Sequence, residues 1–141
     1  MRDSIIEEVS SIIIVFMKEK KLILKPYRDA VSTLGEALSK RSPDDIVRDA
    51  TIQRFEYCFE LAWKLMKRIL ETDYNMTEAD RLTKKDLFRQ AQEVGLITNP
   101  AAWFDYLDAR NRTTHEYSEV AAKAVYAAAK RFLPDAKKFL L

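Results

Sequence analysis

A chain of 141 residues and 16.4 kDa has the size of one domain, long enough to bury roughly two-thirds of the surface its unfolded form exposes. Apolar residues at 48%, charged residues at 33% and only two glycines exclude a disordered chain and favour a helix-rich one. The net charge of +2, from 24 basic against 22 acidic residues, excludes a broadly basic nucleic-acid coat, so any contact with nucleic acid must be local.

Residues 1–20 read as an amphipathic N-terminal extension, set apart by the charge run Lys18-Glu19-Lys20-Lys21 from a helical domain over 22–141. The apolar run from Ile5 to Met17 is interrupted by Glu7, Glu8, Ser10 and Ser11 and is too short to span a membrane. Met17, followed by Lys18 and Glu19, would make a normal cytosolic start, which would leave residues 1–16 dispensable. From Pro26, Tyr27, Val31, Leu34 and Leu38 recur at spacings of three and four and predict a first helix ending near Arg41. Ser42-Pro43-Asp44-Asp45 then predicts a new helix, with Ser42 as its cap, Pro43 at its first position and two carboxylates at its positive end. That helix should run to about Glu71, burying Ile46, Ala50, Phe55, Phe59, Ala62, Leu65 and Ile69, over about 42 Å at 1.5 Å per residue.

A polar link over 72–82 leads to Thr83, whose spacing to Asp86 predicts the cap of a short helix carrying Leu87, Ala91 and Val94 and ended by Gly95. Asn99-Pro100 repeats the pattern of cap then proline and opens a helix with Trp103, Tyr106 or Leu107, and Arg110 along it. The β-branched pair Thr113-Thr114 should weaken its far end. An alanine-rich helix over about Ser118 to Phe132 follows, with a bend expected at Pro134. No alternating strand pattern occurs, so the expected fold is all-α: an antiparallel four-helix up-and-down bundle with a short extra helix.

The single cysteine, Cys58, excludes an intrachain disulfide, and its aromatic neighbours Tyr57 and Phe59 indicate a buried thiol in a reducing, cytoplasmic compartment. With only one histidine as well, the chain lacks the nitrogen and sulfur ligands a zinc site needs, and no metal or cofactor is implied. That histidine sits in Arg110-Asn111-Arg112-Thr113-Thr114-His115-Glu116-Tyr117, a segment too polar for ordinary core. Imidazole can take and give a proton near neutral pH, and the planar guanidinium fork fits a phosphate. The combination suits metal-free RNA cleavage, in which a base removes the 2′-OH proton, a cation stabilises charge growing on phosphorus and an acid protonates the leaving oxygen.

Positions 110 and 115 lie about 140° apart around an ideal helix, so convergence of Arg110 and His115 would require the helix to end or bend near Thr113. One histidine cannot be base and acid in one step, whereas a symmetric dimer presents two copies of the segment at its axis. The plainer alternatives are a helix-terminal histidine serving only as a cap, an Arg110 paired with Asp105 or Asp108, and a Tyr117 that is simply a packed aromatic. Glu56 and Glu60, four apart among apolar neighbours, are either exposed helical carboxylates or, if buried, need a basic partner such as Arg54, Lys64 or the Arg110 segment.

Arg110, His115 and Tyr117 together resemble the R-x4-H-x-Y motif of the HEPN superfamily, as in HepT-like toxins. The stretch from Asp49 to Glu56, with Glu60-Leu61-Ala62-Trp63-Lys64 after it, resembles the branch called nucleotidyltransferase substrate-binding proteins. The resemblance covers about residue 22 to the C-terminus. It implies a helical bundle that forms a homodimer and is partnered by a minimal nucleotidyltransferase in a two-gene, toxin–antitoxin-like module. It implies a metal-independent endoribonuclease in which Arg110 stabilises the phosphate, His115 transfers the proton and Asn111 accompanies the arginine. Tyr117 matches the tyrosine that the partner adenylylates, a modification that would put bulk and negative charge over the RNA site. The other function left open is a non-catalytic subunit that presents substrate to the nucleotidyltransferase or regulates it.

Overall fold

The computed structural model describes residues 7, 8, 11, 24–115 and 117–139, with the side chains of Thr114 and His115 excepted. Apart from Glu7, Glu8 and Ser11, the proposed N-terminal extension falls outside the described residues, as does the proposed start at Met17. Among the described residues from 24 onward there are five helices: α1 over residues 24–38, α2 Asp45–Asp73, α3 Lys84–Glu93, α4 Pro100–His115 and α5 Glu119–Phe139. A 3-10 turn, Ala79–Arg81, interrupts the link between α2 and α3.

The expected caps form where the local chemistry is unambiguous. Thr83 accepts the amide of Asp86 at 3.1 Å, and Asn99 Oδ1 accepts that of Ala102 at 3.3 Å, each occupying an N–H that the first helical turn leaves unpaired. Gly95, at φ 86°, reverses the chain after α3. At the start of α2 the expectation is corrected. Asp44, not Ser42, is the cap, its carboxylate accepting the amide of Val47 at 2.8 Å. Ser42 sits at φ 48°, a left-handed turn that cannot lead directly into a helix, so Pro43 stays outside α2.

The buried stripe of α2 is Thr51, Ile52, Phe55, Cys58, Phe59, Ala62, Leu65, Met66 and Leu70. Ile46 is 79% exposed and Ala50 is also exposed, contrary to expectation, because that stripe turns to the core only from the second turn onward. Phe55 and Phe59 meet Phe132 of α5 edge to face, and Phe59 also stacks on Trp103 of α4. Each large side chain buried in this way contributes about 1.5–3 kcal/mol. Cys58 is fully buried among them, and burial pushes its thiol up to about 12.

Contacts fix the directions. Thr113 meets Glu56 and Arg110 meets Glu60, so α4 runs antiparallel to α2. Tyr27 near the start of α1 bonds to Ala136 near the end of α5, so those two are antiparallel as well. This is the expected up-and-down bundle, with α3 as the short extra helix packed against α2 and α4.

One further expectation is corrected. Helix α5 does not end near Phe132 but continues through Pro134 to Phe139. Proline removes one helical N–H, and cross-bundle hydroxyls hold the helix around it. Tyr27 donates to the Ala136 carbonyl at 2.9 Å, while Tyr106 donates to the Arg131 carbonyl at 3.2 Å and to the Asp135 carboxylate. Helix α4 runs through Thr113-Thr114 and ends at His115, one residue beyond the pair expected to weaken its far end.

Candidate functional site

The end of α4 and the middle of α2 bring together three of the residues singled out from the sequence, Glu56, Glu60 and Arg110. Glu56 and Glu60, one turn apart on α2, present two carboxylates on one face. Arg110 reaches across to both, with Nη1 3.5 Å from Glu56 Oε2 and Nε 3.7 Å from Glu60 Oε1. Thr113, one turn after Arg110, donates its hydroxyl to Glu56 Oε1 at 2.9 Å. The three charged side chains retain 26–30% of their exposure, which makes this neither an open surface pair nor a sealed one. A guanidinium held this way keeps its charge and orientation while an edge remains open to water, the arrangement needed by a cation that must meet a phosphate. Of the cations considered as partners for the two glutamates, Arg110 is the one that lies against them. Asn111 is exposed on the same helix. The His115 side chain lies outside the described residues, while its backbone closes α4.

A second cluster forms where the chain enters α5. Arg48 of α2 bonds Glu119 at 2.7 Å and lies 3.5 Å from Asp49 and 3.7 Å from Asp45, with only 12% of its side chain exposed. It holds the first turns of α2 and α5 together, and both turns also carry a carboxylate at the positive end of the helix dipole. Its hydrogen bond holds the Glu119 carboxyl below the usual carboxylate range. Tyr117, two residues before Glu119, is 65% exposed rather than packed. The Asp49 carboxylate lies close to its hydroxyl and raises the phenol above its ordinary value, because a neighbouring anion favours the protonated hydroxyl over the phenolate. Ser118 caps α5 by accepting the amide of Ala121 at 3.1 Å.

The sequence pattern of proteins described as nucleotidyltransferase substrate binding protein like matches residues 22–141. The chain belongs to that family. Among curated relatives, the Haemophilus influenzae protein named "Probable ribonuclease HepT" is 40% identical over 98 residues, a stretch covering 69% of this chain and 66% of that protein. Among solved structures, a Haemophilus influenzae protein reported to have the fold of a substrate-binding domain of a nucleotidyltransferase superposes with a TM-score of 0.76 at 33% identity, over 83% of this chain and 96% of its own. A Thermus thermophilus protein superposes with a TM-score of 0.73 at 30% identity, over 81% of this chain and 95% of its own.

In this family member the described residues contain no cluster of three or more histidine, cysteine or acidic side chains able to hold a metal ion, and no helix long and apolar enough to cross a membrane. Sequence reasoning missed the setting of Tyr117. Asp49 was part of the stretch that carried the resemblance, but nothing local marked it or Arg48 as neighbours of a tyrosine some seventy positions on. Thr113 was read only as a weak helix former, whereas its hydroxyl fixes Glu56.

Proposed function

We propose that this protein is a HEPN-type subunit of a minimal nucleotidyltransferase, in a two-gene toxin–antitoxin-like module, that cleaves RNA without a metal. It would work in the cytoplasm as a homodimer. The observation that carries the reading is the Arg110 guanidinium held between Glu56 and Glu60 on the helix that closes at His115, in a chain 40% identical over 98 residues to a probable ribonuclease.

In this reading a base removes the 2′-OH proton, and the 2′-oxygen attacks the adjacent phosphorus. Arg110 stabilises the negative charge that builds on the phosphoryl oxygens. The P–O5′ bond breaks as an acid protonates the leaving oxygen, giving a 2′,3′-cyclic phosphate and a free 5′-hydroxyl. His115 from each of two subunits supplies the base and the acid, and Asn111 supports the arginine. Glu56 and Glu60 orient Arg110 but also compete with the phosphate for it, so binding rests on the whole strand rather than on one ion pair. Tyr117 is the candidate for adenylylation by the partner. Its exposure leaves it open to a second enzyme, and Asp49, whose carboxylate lies close to its hydroxyl, would take the phenolic proton as the oxygen attacks the α-phosphorus of ATP and pyrophosphate leaves. The added phosphate would repel RNA from the same end of the bundle.

The test is incubation of the purified protein with structured RNA in chelator, beside His115→Ala and Arg110→Ala. Cleavage that survives chelation and is lost in both variants is the expected result. An intact, folded protein that cleaves no RNA would overturn the reading and leave a non-catalytic subunit that presents substrate to the nucleotidyltransferase.

A further inference from the structure

The α2 face that carries Glu56 and Glu60 continues past them. At 100° per residue, positions 56, 60, 63, 64 and 67 fall on one side of the helix, and about 16 Å separates the level of Glu56 from that of Lys67. Beyond the Arg110 site this side opens into a groove of about 360 Å³, lined by Trp63, Lys64, Lys67, Arg68, Glu71 and Asp80. Lys84 at the start of α3 lies over Trp63, one wall of the groove, its ammonium 4.8 Å from the centre of the ring, with Lys64 at 5.7 Å from the same ring. Phe104 of α4 carries a similar pair, Lys85 at 5.7 Å and Arg89 at 5.0 Å. The Trp63 indole N–H is shielded from solvent and meets no acceptor among the described residues.

We propose that this groove is a binding track for single-stranded RNA, taking the sugar–phosphate backbone of the strand that runs from the Arg110 site. It rests on the ribonuclease reading for the direction of the strand but not for the binding itself. Three features select the ligand. Cations interleaved with half-exposed aromatic rings are the combination that binds single strands without regard to sequence, through phosphate contacts and base stacking. The groove shares a helix face with the one guanidinium already argued to meet a phosphate. The chain as a whole carries only +2, so attraction for a polyanion must come from such a local patch. Asp80 ties down Lys67, and Glu71 lies alongside. These carboxylates keep the groove mildly positive, so it guides a strand and releases it, with affinity that falls steeply with salt.

The test uses the full chain carrying His115→Ala, to prevent cleavage, and a fluorescent single-stranded RNA of about 12 nucleotides, a typical site size for such tracks. Anisotropy is measured across a salt series starting near 50 mM. Lys64→Glu with Lys84→Glu should raise Kd at least about tenfold at low salt. It should also flatten the dependence of log Kd on log salt by about 1.4, from two phosphate contacts at about 0.7 each. The neutral pair Lys64→Gln with Lys84→Gln, gentler on the fold, should raise Kd less but flatten the slope by the same amount of about 1.4, since it loses the same two contacts. Lys130→Glu with Lys137→Glu, on α5, makes the same charge change outside the groove and should leave Kd within about twofold. Unchanged Kd and slope in the groove variants, equal loss in the α5 pair, or equally tight binding of a polyglutamate peptide would each overturn the proposal. If the groove variants lose RNA while the unmodified protein never cleaves it, the track stands and the ribonuclease reading falls.

Discussion

The attachment of Arg110 to α2 can be measured directly by a double-mutant cycle of Arg110→Ala and Glu56→Ala. At 3.5 Å and an effective dielectric of about 20, the bare Coulomb attraction is 332/(20 × 3.5), about 5 kcal/mol. Both side chains keep 26% of their exposure, so water and mobile ions screen most of that and desolvation opposes more, leaving about 1 kcal/mol of coupling. Glu56→Ala also removes the nearer of the Thr113 hydroxyl's two acceptors, leaving the Arg110 carbonyl at 3.4 Å, a loss of about 1 kcal/mol at most that appears in the single variant and cancels in the cycle. Urea unfolding reads the result: with a slope of about 2 kcal/mol per molar, 1 kcal/mol moves the midpoint by about 0.5 M. Coupling below about 0.3 kcal/mol, with the two substitutions simply adding, would refute the claim that the glutamate holds the guanidinium in place.

Other consequences follow from the same contacts. Tyr27→Phe keeps the buried ring but removes the buried hydrogen bond to the Ala136 carbonyl, so stability should fall by about 1 kcal/mol and thermal melting should drop by several degrees. A native-like melting temperature would show that α5 needs no such tie around its proline. Because Arg48 depresses the Glu119 carboxyl, the stabilisation it gives is present above the ordinary glutamate value of about 4.3 and lost as pH falls through the lowered one. Glu119→Gln should therefore melt below the unmodified protein at pH 7, and the two curves should converge as pH falls towards 3.

How much was legible in the sequence depended on the range of the interaction. Thr83, Gly95 and Asn99-Pro100 announced their helix ends because each acts on amides or dihedrals within a few residues. Ser42-Pro43-Asp44-Asp45 offered two caps, and the choice between them turned on the left-handed backbone of Ser42, which composition does not reveal. Pro134 looked like a bend because the hydroxyls that hold α5 around it come from far along the chain, Tyr27 bonding a carbonyl 109 positions on and Tyr106 one 25 positions on. Glu56 and Glu60 could be recognised as needing a cation, yet choosing Arg110 over Arg54 or Lys64 required the antiparallel register of α2 and α4. Arg54 in fact turns to α1, donating to the Thr33 carbonyl at 2.9 Å. The pairing of Tyr117 with Asp49 needed the start of α5 to lie beside the start of α2, a tertiary fact with no local signature.

The unbroken α4 sharpens what a second subunit must do. Had the helix ended at Thr113, one chain could have folded its imidazole back towards its own guanidinium. A helix continuous to His115 sets positions 110 and 115 about 140° apart around the axis, so a shared cleft becomes the economical way to assemble base, acid and cation. That arrangement has a quantitative signature. If each cleft needs the histidines of both subunits, co-refolding the unmodified protein with an equal amount of His115→Ala leaves only homodimers of the former active, about a quarter of all dimers by random pairing. Activity relative to the same total protein should then be about a quarter and fall as the square of the unmodified fraction. If each chain acts alone, the mixture should retain about half and the dependence should be linear, an outcome that would remove the shared cleft from the mechanism while leaving Arg110 in it.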